Sequence, residues 1–286
     1  RAAGLYALGK NDQAAPLYEQ VIADKNAGAL KSEALYALGV TREELGQAEQ
    51  AGAAYQQFLT DFPQHNFAEE VGFRLGESLL ARGQYAQAEQ RFATAAGSKT
   101  FRAADLAMLR QAECLAARKK YPEAAARYQQ LAKDFSESQY RGKALLEAGK
   151  CAYLAGDHAT AIAALKPLTK AEGETGAEAS HWTARSMLRA GQAAEARTVA
   201  DQALKQAEGT QFYTQLLLDQ ADALYELPEE RKAAASAYAS LADKHPDDDV
   251  APQARYMAGF AALNSGTYDN ALAQAKQFIE KYPQSE

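Results

Sequence analysis

Apolar residues recur along this chain at intervals of three and four, the spacing that places them on one face of a helix. Leu35 and Leu38 belong to one such segment, and another runs from Gln84 to Ala96. Glycines such as Gly46 and Gly83 stand between consecutive segments. Because glycine readily adopts the left-handed conformation that ends a helix, these positions predict tight turns between two helices.

The helical segments form a repeat. An alanine five residues after the turn position recurs at steps of 35 to 38 residues, as Ala14, Ala51, Ala88, Ala124, Ala161, Ala196, Ala234 and Ala271. A small residue seven positions before the turn recurs with it, as Ala2, Gly39, Gly76, Ala112, Gly149, Ala184, Ala221 and Gly259. An aromatic residue often follows the alanine by four positions, as Tyr55 and Phe92 do. The pattern predicts two helices per repeat that cross closely at the small residue, with the aromatic ring filling the gap beside it.

Helical hairpins of this kind cannot bury their apolar faces alone, so they must stack on their neighbours. We therefore predict an all-α solenoid in which one array of helix-turn-helix repeats occupies residues 1–286. The repeats cover approximately 1–28, 29–66, 67–100, 101–138, 139–173, 174–209, 210–249 and 250–286. In this alignment Gly9 takes the turn position, so the first repeat begins within a helix at Arg1, and we expect the array to continue beyond at least one end.

The composition agrees with an all-helical chain and excludes two classes of partner. Among 286 residues there are five valines and three isoleucines, too few of the β-branched residues that strands favour. The formal net charge of -6 disfavours a nucleic-acid binder, which needs a basic surface for the phosphates. Since no uncharged apolar run approaches the ~18 residues of a spanning helix, we predict no membrane insertion.

No group of side chains has the spacing of a catalytic or metal site. The four histidines, His65, His158, His181 and His245, lie in different repeats. His181 occupies a position that is aromatic in other repeats, so it is interpreted as a replacement for that ring. Cys114 and Cys151 occupy one small-residue position in adjacent repeats and are predicted to be buried thiols. We therefore expect no enzyme, no metal and no cofactor.

The order of anchor residues resembles the tetratricopeptide repeat family. Gly39, Gly46, Ala51, Tyr55 and Pro63 match the small-Gly-Ala-aromatic-Pro order and spacing of that family's motif. The resemblance covers the whole chain, although its period of about 37 exceeds the family's usual 34. Three further departures are Lys119 in place of the turn glycine, the loss of that glycine near Pro228, and Ala200 in place of the aromatic residue.

One branch of the family is closer in pattern. The strings Tyr36-x-Leu38-Gly39 and Phe73-x-Leu75-Gly76 are similar to those of the bacterial cell-envelope branch, which includes the Tol-Pal coordinator protein and the outer-membrane assembly lipoproteins. The resemblance implies a right-handed superhelix that scaffolds protein–protein contacts, with the first helices lining a concave groove. It also favours the periplasm or cell envelope over the cytoplasm, although no targeting signal fixes the compartment.

Repeat positions on the first helices give the candidate groove residues. They are Glu33, Tyr36, Glu70, Phe73, Glu77, Glu113, Lys143, Lys150, Tyr153, Arg185, Arg189, Tyr225 and Tyr256. Their charges are acidic toward the N-terminus and basic in the middle, which predicts a partner with a basic stretch followed by an acidic one. The alternative is that these charges form a solvated face and the aromatic residues belong to the core.

Two functions remain open at this point. The first is a non-catalytic scaffold that binds a protein or peptide partner, in a bacterial cell-envelope complex. The second is the repeat region of a larger protein whose effector or catalytic domain lies outside these residues. Self-association through the uncapped ends of the array is a further expectation, because such ends expose apolar faces.

Overall fold

The chain folds into helices joined by short turns. A computed structural model describes residues 1–284, and within them there are sixteen α-helices, two short 3-10 helices and no strand. The all-α class and the helix-turn-helix organisation are therefore confirmed. Consecutive helices pack on one another from Ala2–Ala7 to Tyr121–Asp134 and again from His158–Leu165 to Tyr268–Lys281, as stacked hairpins require.

The chain divides within helix α9 (Arg141–Leu154) into two compact units, Arg1–Ala144 and Leu145–Glu286, here called unit 1 and unit 2. The other helices of unit 1 are α1 Ala2–Ala7, α2 Asn11–Ala23, α3 Leu30–Glu44, α4 Ala48–Asp61, α5 Ala68–Ala81, α6 Tyr85–Ala96, α7 Ala104–Ala117 and α8 Tyr121–Asp134. Those of unit 2 are α10 His158–Leu165, α11 Gly173–Arg189, α12 Ala193–Ala203, α13 Tyr213–Glu226, α14 Arg231–Lys244, α15 Ala251–Asn264 and α16 Tyr268–Lys281.

The helices follow the predicted repeat intervals two by two, except that α11 begins one residue early, at Gly173. The last interval, 250–286, extends two residues outside the described part of the chain. That all eight intervals form a single array stays a prediction.

In several hairpins a large side chain lies over a small residue of the opposite helix. A β-carbon added to Gly39 would overlap the ring of Tyr55, and one added to Gly76 would lie 2.7 Å from Cε1 of Phe92. Both rings are completely buried. The glycines are therefore required for space at the crossing, since their backbone conformation is ordinary for a helix.

The turn glycines have a different role, which is conformational. Gly9, Gly46 and Gly83 all have a φ of +69°, in the left-handed region. Gly9 ends the six-residue α1, as the alignment of the first repeat predicts. Lys119 occupies the same position with a φ of +58°. Among the described residues, it is the only non-glycine residue with a positive φ. The turn is thus kept in the fourth repeat although the glycine is lost.

The second helices of the hairpins in the first half of unit 2 are shorter than those of the other hairpins. Helix α10 has eight residues and gives way to the 3-10 turn Lys166–Leu168, which contains Pro167. Proline lacks the N–H that an α-helix interior needs, so it ends α10 early. Ala200 replaces the aromatic residue in α12 and is fully buried.

The structure predicts that Lys119→Gly stabilises the protein. A left-handed conformation costs an L-residue about 1–2 kcal/mol, and replacement by glycine removes this cost. Part of the gain is lost, because glycine has a larger conformational entropy in the unfolded chain. We expect the free energy of unfolding to rise by about 0.5–1 kcal/mol, measured by urea denaturation. The matched control is Lys120→Gly. Because Lys120 has a negative φ of -84°, this variant should be as stable as the wild type or less stable. Loss of stability in Lys119→Gly would contradict the argument.

The room available for an added β-carbon predicts different effects of one substitution at two equivalent glycines. Gly76→Ala pushes a methyl group into the buried ring of Phe92 and should cost about 1–3 kcal/mol. At Gly259 the nearest atom to an added β-carbon is Cβ of Gln274 at 3.5 Å, so Gly259→Ala should be neutral or gain about 0.5–1 kcal/mol. Thermal and urea unfolding of both variants measure the difference, and equal losses would show that the aromatic ring does not set it.

Candidate partner-binding surface

The predicted groove residues are distributed over both units, each on the first helix of a hairpin. Unit 1 contains Glu33, Tyr36, Glu70, Phe73, Glu77, Glu113 and Lys143, and unit 2 contains Lys150, Tyr153, Arg185, Arg189, Tyr225 and Tyr256. Most of the charged members form ion pairs with other residues of the same or a neighbouring first helix. Among the described residues, Glu33 and Arg189 form no ion pair.

In unit 1 two arginines connect the predicted carboxylates. Arg74 on α5 contacts Glu70 on its own helix at 2.8 Å and Glu43 on α3 at 2.9 Å. Arg110 on α7 in the same way contacts Glu113 at 2.8 Å and Glu77 on α5 at 2.9 Å. These contacts form the row of ion pairs that we call the unit 1 row. Much of the acidic charge expected on this face is therefore neutralised.

Lys143 extends the unit 1 row. Its Nζ lies 2.6 Å from Oε1 of Glu113, so that carboxylate has two cationic partners. Burial opposes ionisation of Glu113, but the hydrogen bonds from Lys143 and Arg110 outweigh it and lower its pKa. Burial raises the pKa of Glu77, which Arg110 offsets only in part. Folding thus favours the ionised form of Glu113 and disfavours that of Glu77.

Tyr36 and Phe73 are half-buried and pack against the core of unit 1. The Tyr36 ring is 5.5 Å from that of Phe67, and the guanidinium of Arg74 lies 5.7 Å from its centroid. The Phe73 ring is 5.4 Å from Phe92, the ring over Gly76. Phe73 also lies 5.4 Å from Phe101, which precedes α7. Tyr36 and Phe73 therefore each contact an aromatic ring at the start of the next hairpin.

Unit 2 has corresponding contacts on α9 and α11. Lys150 lies 2.9 Å from Glu178 and 3.1 Å from Glu147. Burial opposes the charge of Lys150, but its hydrogen bonds to these two carboxylates outweigh burial and raise its pKa. The ring of Tyr153 stands 5.2 Å from Trp182. These residues consequently join two neighbouring first helices.

A buried polar cluster continues across α11, α13 and α14. It consists of His181, Arg185, Asp219, Asp222 and Tyr238. Nδ1 of His181 is 2.7 Å from Oδ2 of Asp219, and Nη1 of Arg185 is 2.8 Å from Oδ2 of Asp222. The hydroxyl of Tyr238 donates to the other oxygen of Asp222 at 2.5 Å. His181 also lies 5.6 Å from the ring of Phe212, so it packs as an aromatic residue and binds an acid as well.

Burial dominates the electrostatics of this cluster. Asp219 is fully buried, and burial raises its pKa against the opposing effects of His181 and Arg185. Burial also raises the pKa of Asp222, although Tyr238 and Arg185 act in the other direction. Removing one partner from such a group leaves an uncompensated charge and is strongly destabilising. Arg185 is therefore first a structural residue.

A cleft of about 280 Å³ opens beside the cluster. It is lined by Arg185, Leu188, Arg189, Asp222, Tyr225, Glu226, Tyr238, Gln253 and Met257. Arg185, Asp222 and Tyr238 already bind one another at its inner side. Arg189 and Glu226 are exposed, and neither forms an ion pair within the described residues. The cleft thus offers one free cation, one free carboxylate and the apolar surfaces of Tyr225 and Met257.

Tyr256 lies on a separate, apolar part of unit 2. It is 57% exposed and stacks on Phe260 with 6.3 Å between ring centroids. Phe260 in turn lies 5.9 Å from Tyr225. Aromatic residues therefore run from the cleft to the outer face of α15.

The residues that pair the predicted charges are not among the predicted groove residues, apart from the pair of Glu113 and Lys143. Four of them share one repeat position, two residues before the small residue, and are Arg74, Arg110, Glu147 and Asp219. A charged residue that recurs at one position in four repeats was a readable signal. The identity of each partner was not readable, because it depends on which positions of adjacent helices face each other.

The described residues hold no cluster of three or more His, Cys, Asp or Glu suited to a metal ion. Cys114 and Cys151 are free and buried, as predicted. Burial raises the pKa of the Cys114 thiol to about 12 and that of Cys151 to about 11, so neither is a nucleophile near neutral pH. None of the described helices combines the length and the apolar composition that a membrane crossing requires.

Two family models, both described as Tetratricopeptide repeat, match the chain. One matches residues 33–65 and 253–285, and the other matches 73–138 and 120–173. Together these matches span more than half of the chain. No curated protein shows a significant match.

Solved structures resemble this chain at low sequence identity. The C-terminal part of a TPR repeat-containing protein from Cytophaga hutchinsonii is 16% identical with a TM-score of 0.53, covering 98% of each chain. A tetratricopeptide repeat protein from Parabacteroides merdae is 13% identical with a TM-score of 0.49, covering 90% of this chain and 95% of its own. The structure of Naa15/Naa10 bound to HypK-THB is 17% identical with a TM-score of 0.61, covering all of this chain, which spans 42% of that one.

The unit 1 row predicts unequal effects of two neutralising substitutions. Glu113→Gln removes a carboxylate that two cations stabilise, and we expect a loss of about 1 kcal/mol at pH 7. Glu77→Gln removes a carboxylate whose ionised form the fold disfavours, so the loss should be less than half as large. Urea denaturation of both variants measures the difference.

The pH dependence provides a second check. The pKa of Glu113 is lowered by folding, so its contribution is present above its unfolded pKa and is lost as the pH falls through the folded one. The pKa of Glu77 is raised, so its unfavourable contribution disappears as the pH falls. The penalty of Glu113→Gln should therefore shrink below about pH 4, near the ordinary glutamate pKa. A larger loss in Glu77→Gln than in Glu113→Gln would contradict both assignments.

Proposed function

Because the chain belongs to the tetratricopeptide repeat family, whose repeats mediate protein–protein interaction, we propose that it is a non-catalytic scaffold that binds a polypeptide segment in the unit 2 cleft. The observation that carries the proposal is the coexistence of unpaired charges and apolar surface in that cleft, where most neighbouring charges are already neutralised. A ligand there meets polar groups that still lack partners.

The chemistry of the cleft defines the segment that it would bind. Arg189 is suited to a carboxylate, from an acidic side chain or a chain terminus, since guanidinium binds carboxylate with two parallel hydrogen bonds. Tyr225 and Met257 offer apolar contact to the adjacent side chain, and Glu226 is suited to a basic one. A volume of about 280 Å³ accommodates a few side chains of an extended segment or one face of a helix.

The hypothesis of a bipolar groove is then restricted to the charges that form no ion pair among the described residues. A basic stretch of the partner would meet Glu33 in unit 1. For the other predicted carboxylates of that unit, it would have to compete with Arg74 and Arg110. The acidic stretch would meet Arg189 in unit 2. Such charges would set orientation and association rate more than affinity.

The setting of the scaffold in a bacterial cell-envelope complex is part of the same proposal. It rests on the sequence strings around Gly39 and Gly76 and on their similarity to that branch of the family. Among the structures of similar fold, Naa15/Naa10 is bound to HypK-THB, which is an example of such a helical fold in a protein complex. Recovery of cell-envelope proteins in the experiment below would support this setting, and recovery of cytoplasmic proteins alone would contradict it.

The proposal predicts that Arg189→Glu abolishes or strongly weakens partner capture. The full chain is used for a pulldown, and the captured segment is then titrated as a peptide by fluorescence anisotropy. Reversing a charge that contacts a carboxylate should weaken binding about tenfold or more, equivalent to about 1.4 kcal/mol. Arg189 is preferred to Arg185 because it makes no contact on which the fold depends.

The matched control is Lys232→Glu. Lys232 is an exposed cation of the same unit, on the second helix α14, and it forms no ion pair within the described residues. Its reversal changes net charge by the same amount and should leave binding unchanged. Equal binding by wild type and Arg189→Glu would exclude the cleft as the site, and equal weakening in both variants would indicate a non-specific charge effect.

A further inference from the structure

The outer face of α15 and α16 exposes more apolar surface than any other part of unit 2 that the structure describes. We call it the C-terminal face. Its large residues are 42–70% exposed, namely Tyr256, Phe260, Leu263, Tyr268, Leu272 and Ile279. They surround a groove of about 500 Å³ whose floor includes Gly259 and Ala275. Exposed apolar patches of this extent mark interaction sites.

The residues of α16 on this face have the spacing of a coiled-coil seam. Tyr268, Leu272, Ala275 and Ile279 follow one another at intervals of four, three and four residues. This is the a and d pattern by which two helices pack side by side. The seam is thus suited to a second helix lying along α16.

The seam differs in side-chain size from the corresponding positions of the preceding hairpin. On α14 the equivalent positions are Ala235, Tyr238 and Ala242, which are buried in a cluster with residues of α15. Small residues flank a large one there. On α16 the order is reversed, because Leu272 and Ile279 flank Ala275.

We propose that the C-terminal face binds a second copy of this chain, with the two α16 helices antiparallel across a two-fold axis. The seam is complementary to itself in this orientation. Leu272 of each copy lies against Ala275 of the other, and Tyr268 lies against Ile279. A parallel pair would instead place Leu272 on Leu272 and leave a gap between the two alanines.

Charge complementarity supports the antiparallel orientation. Asp269 and Lys276 are exposed and flank the seam on one side, each one residue after a seam position. Their midpoint nearly coincides with the midpoint of the seam. The two-fold axis therefore places Asp269 of one copy opposite Lys276 of the other, twice in the dimer. Pairs at such flanking positions select partner and orientation.

The area is of the size that a dimer requires. The exposed parts of Tyr256, Phe260 and Tyr268 alone amount to roughly 300 Å². The three aliphatic side chains and the flanking charges bring the face toward the ~800 Å² per partner of a standard interface. The contact is isologous and closes on itself, so it ends at two copies.

The experiment measures the mass of the full chain by light scattering and sedimentation over a range of concentrations. The wild type is expected to sediment as a dimer that dissociates on dilution. Asp269→Lys and Lys276→Asp should each raise the dissociation constant about tenfold or more, since each places like charges opposite one another at two sites. The double variant Asp269→Lys/Lys276→Asp restores opposite charges and should restore dimerisation.

Controls separate the interface from the fold. Leu272→Glu should abolish the dimer, whereas Leu154→Glu, at another exposed leucine of unit 2, should leave it intact. All these positions are exposed, so circular dichroism should show unchanged helicity. A monomer at every concentration, growth beyond the dimer, or failure of the double variant to regain what the single variants lose would overturn the proposal.

Discussion

The contact between a buried ring and a helical glycine is the constraint on which the rest of this structure depends. Tyr55 over Gly39 and Phe92 over Gly76 bring the two helices of a hairpin so close that no β-carbon fits between them. The close crossing turns one apolar side of each hairpin outward, and only the next hairpin can cover it. Local packing therefore dictates stacking, and stacking places the first helices side by side.

That side-by-side placement determines the electrostatics. Positions one repeat apart become neighbours, so a cation such as Arg110 reaches carboxylates on two helices at once. The ion pairs consume most of the charge that a partner would otherwise meet. We therefore propose that binding is concentrated where pairing is incomplete among the described residues, at Arg189 and Glu226, rather than spread along a uniformly charged surface.

The two proposed interfaces of unit 2 follow from departures from the repeat. The cleft exists where α11 and α13 place a buried polar cluster at the position of ordinary core contacts. On the C-terminal face, Ala275 stands where most other repeats have an aromatic residue, and Leu272 and Ile279 flank it. In a repeat protein the regular residues maintain the stack, so the irregular ones are available for recognition.

The sequence alone determined the helical class, the pairing of helices, the turn at Lys119 and the burial of both cysteines, because each depends on spacing within one repeat. Only the tertiary structure decided that Tyr36 and Phe73 pack between hairpins, that Asp219 is buried beside His181, and that Arg189 stays unpaired. These outcomes depend on which side chains of adjacent helices meet, and that is fixed by crossing geometry rather than by any periodicity along the chain.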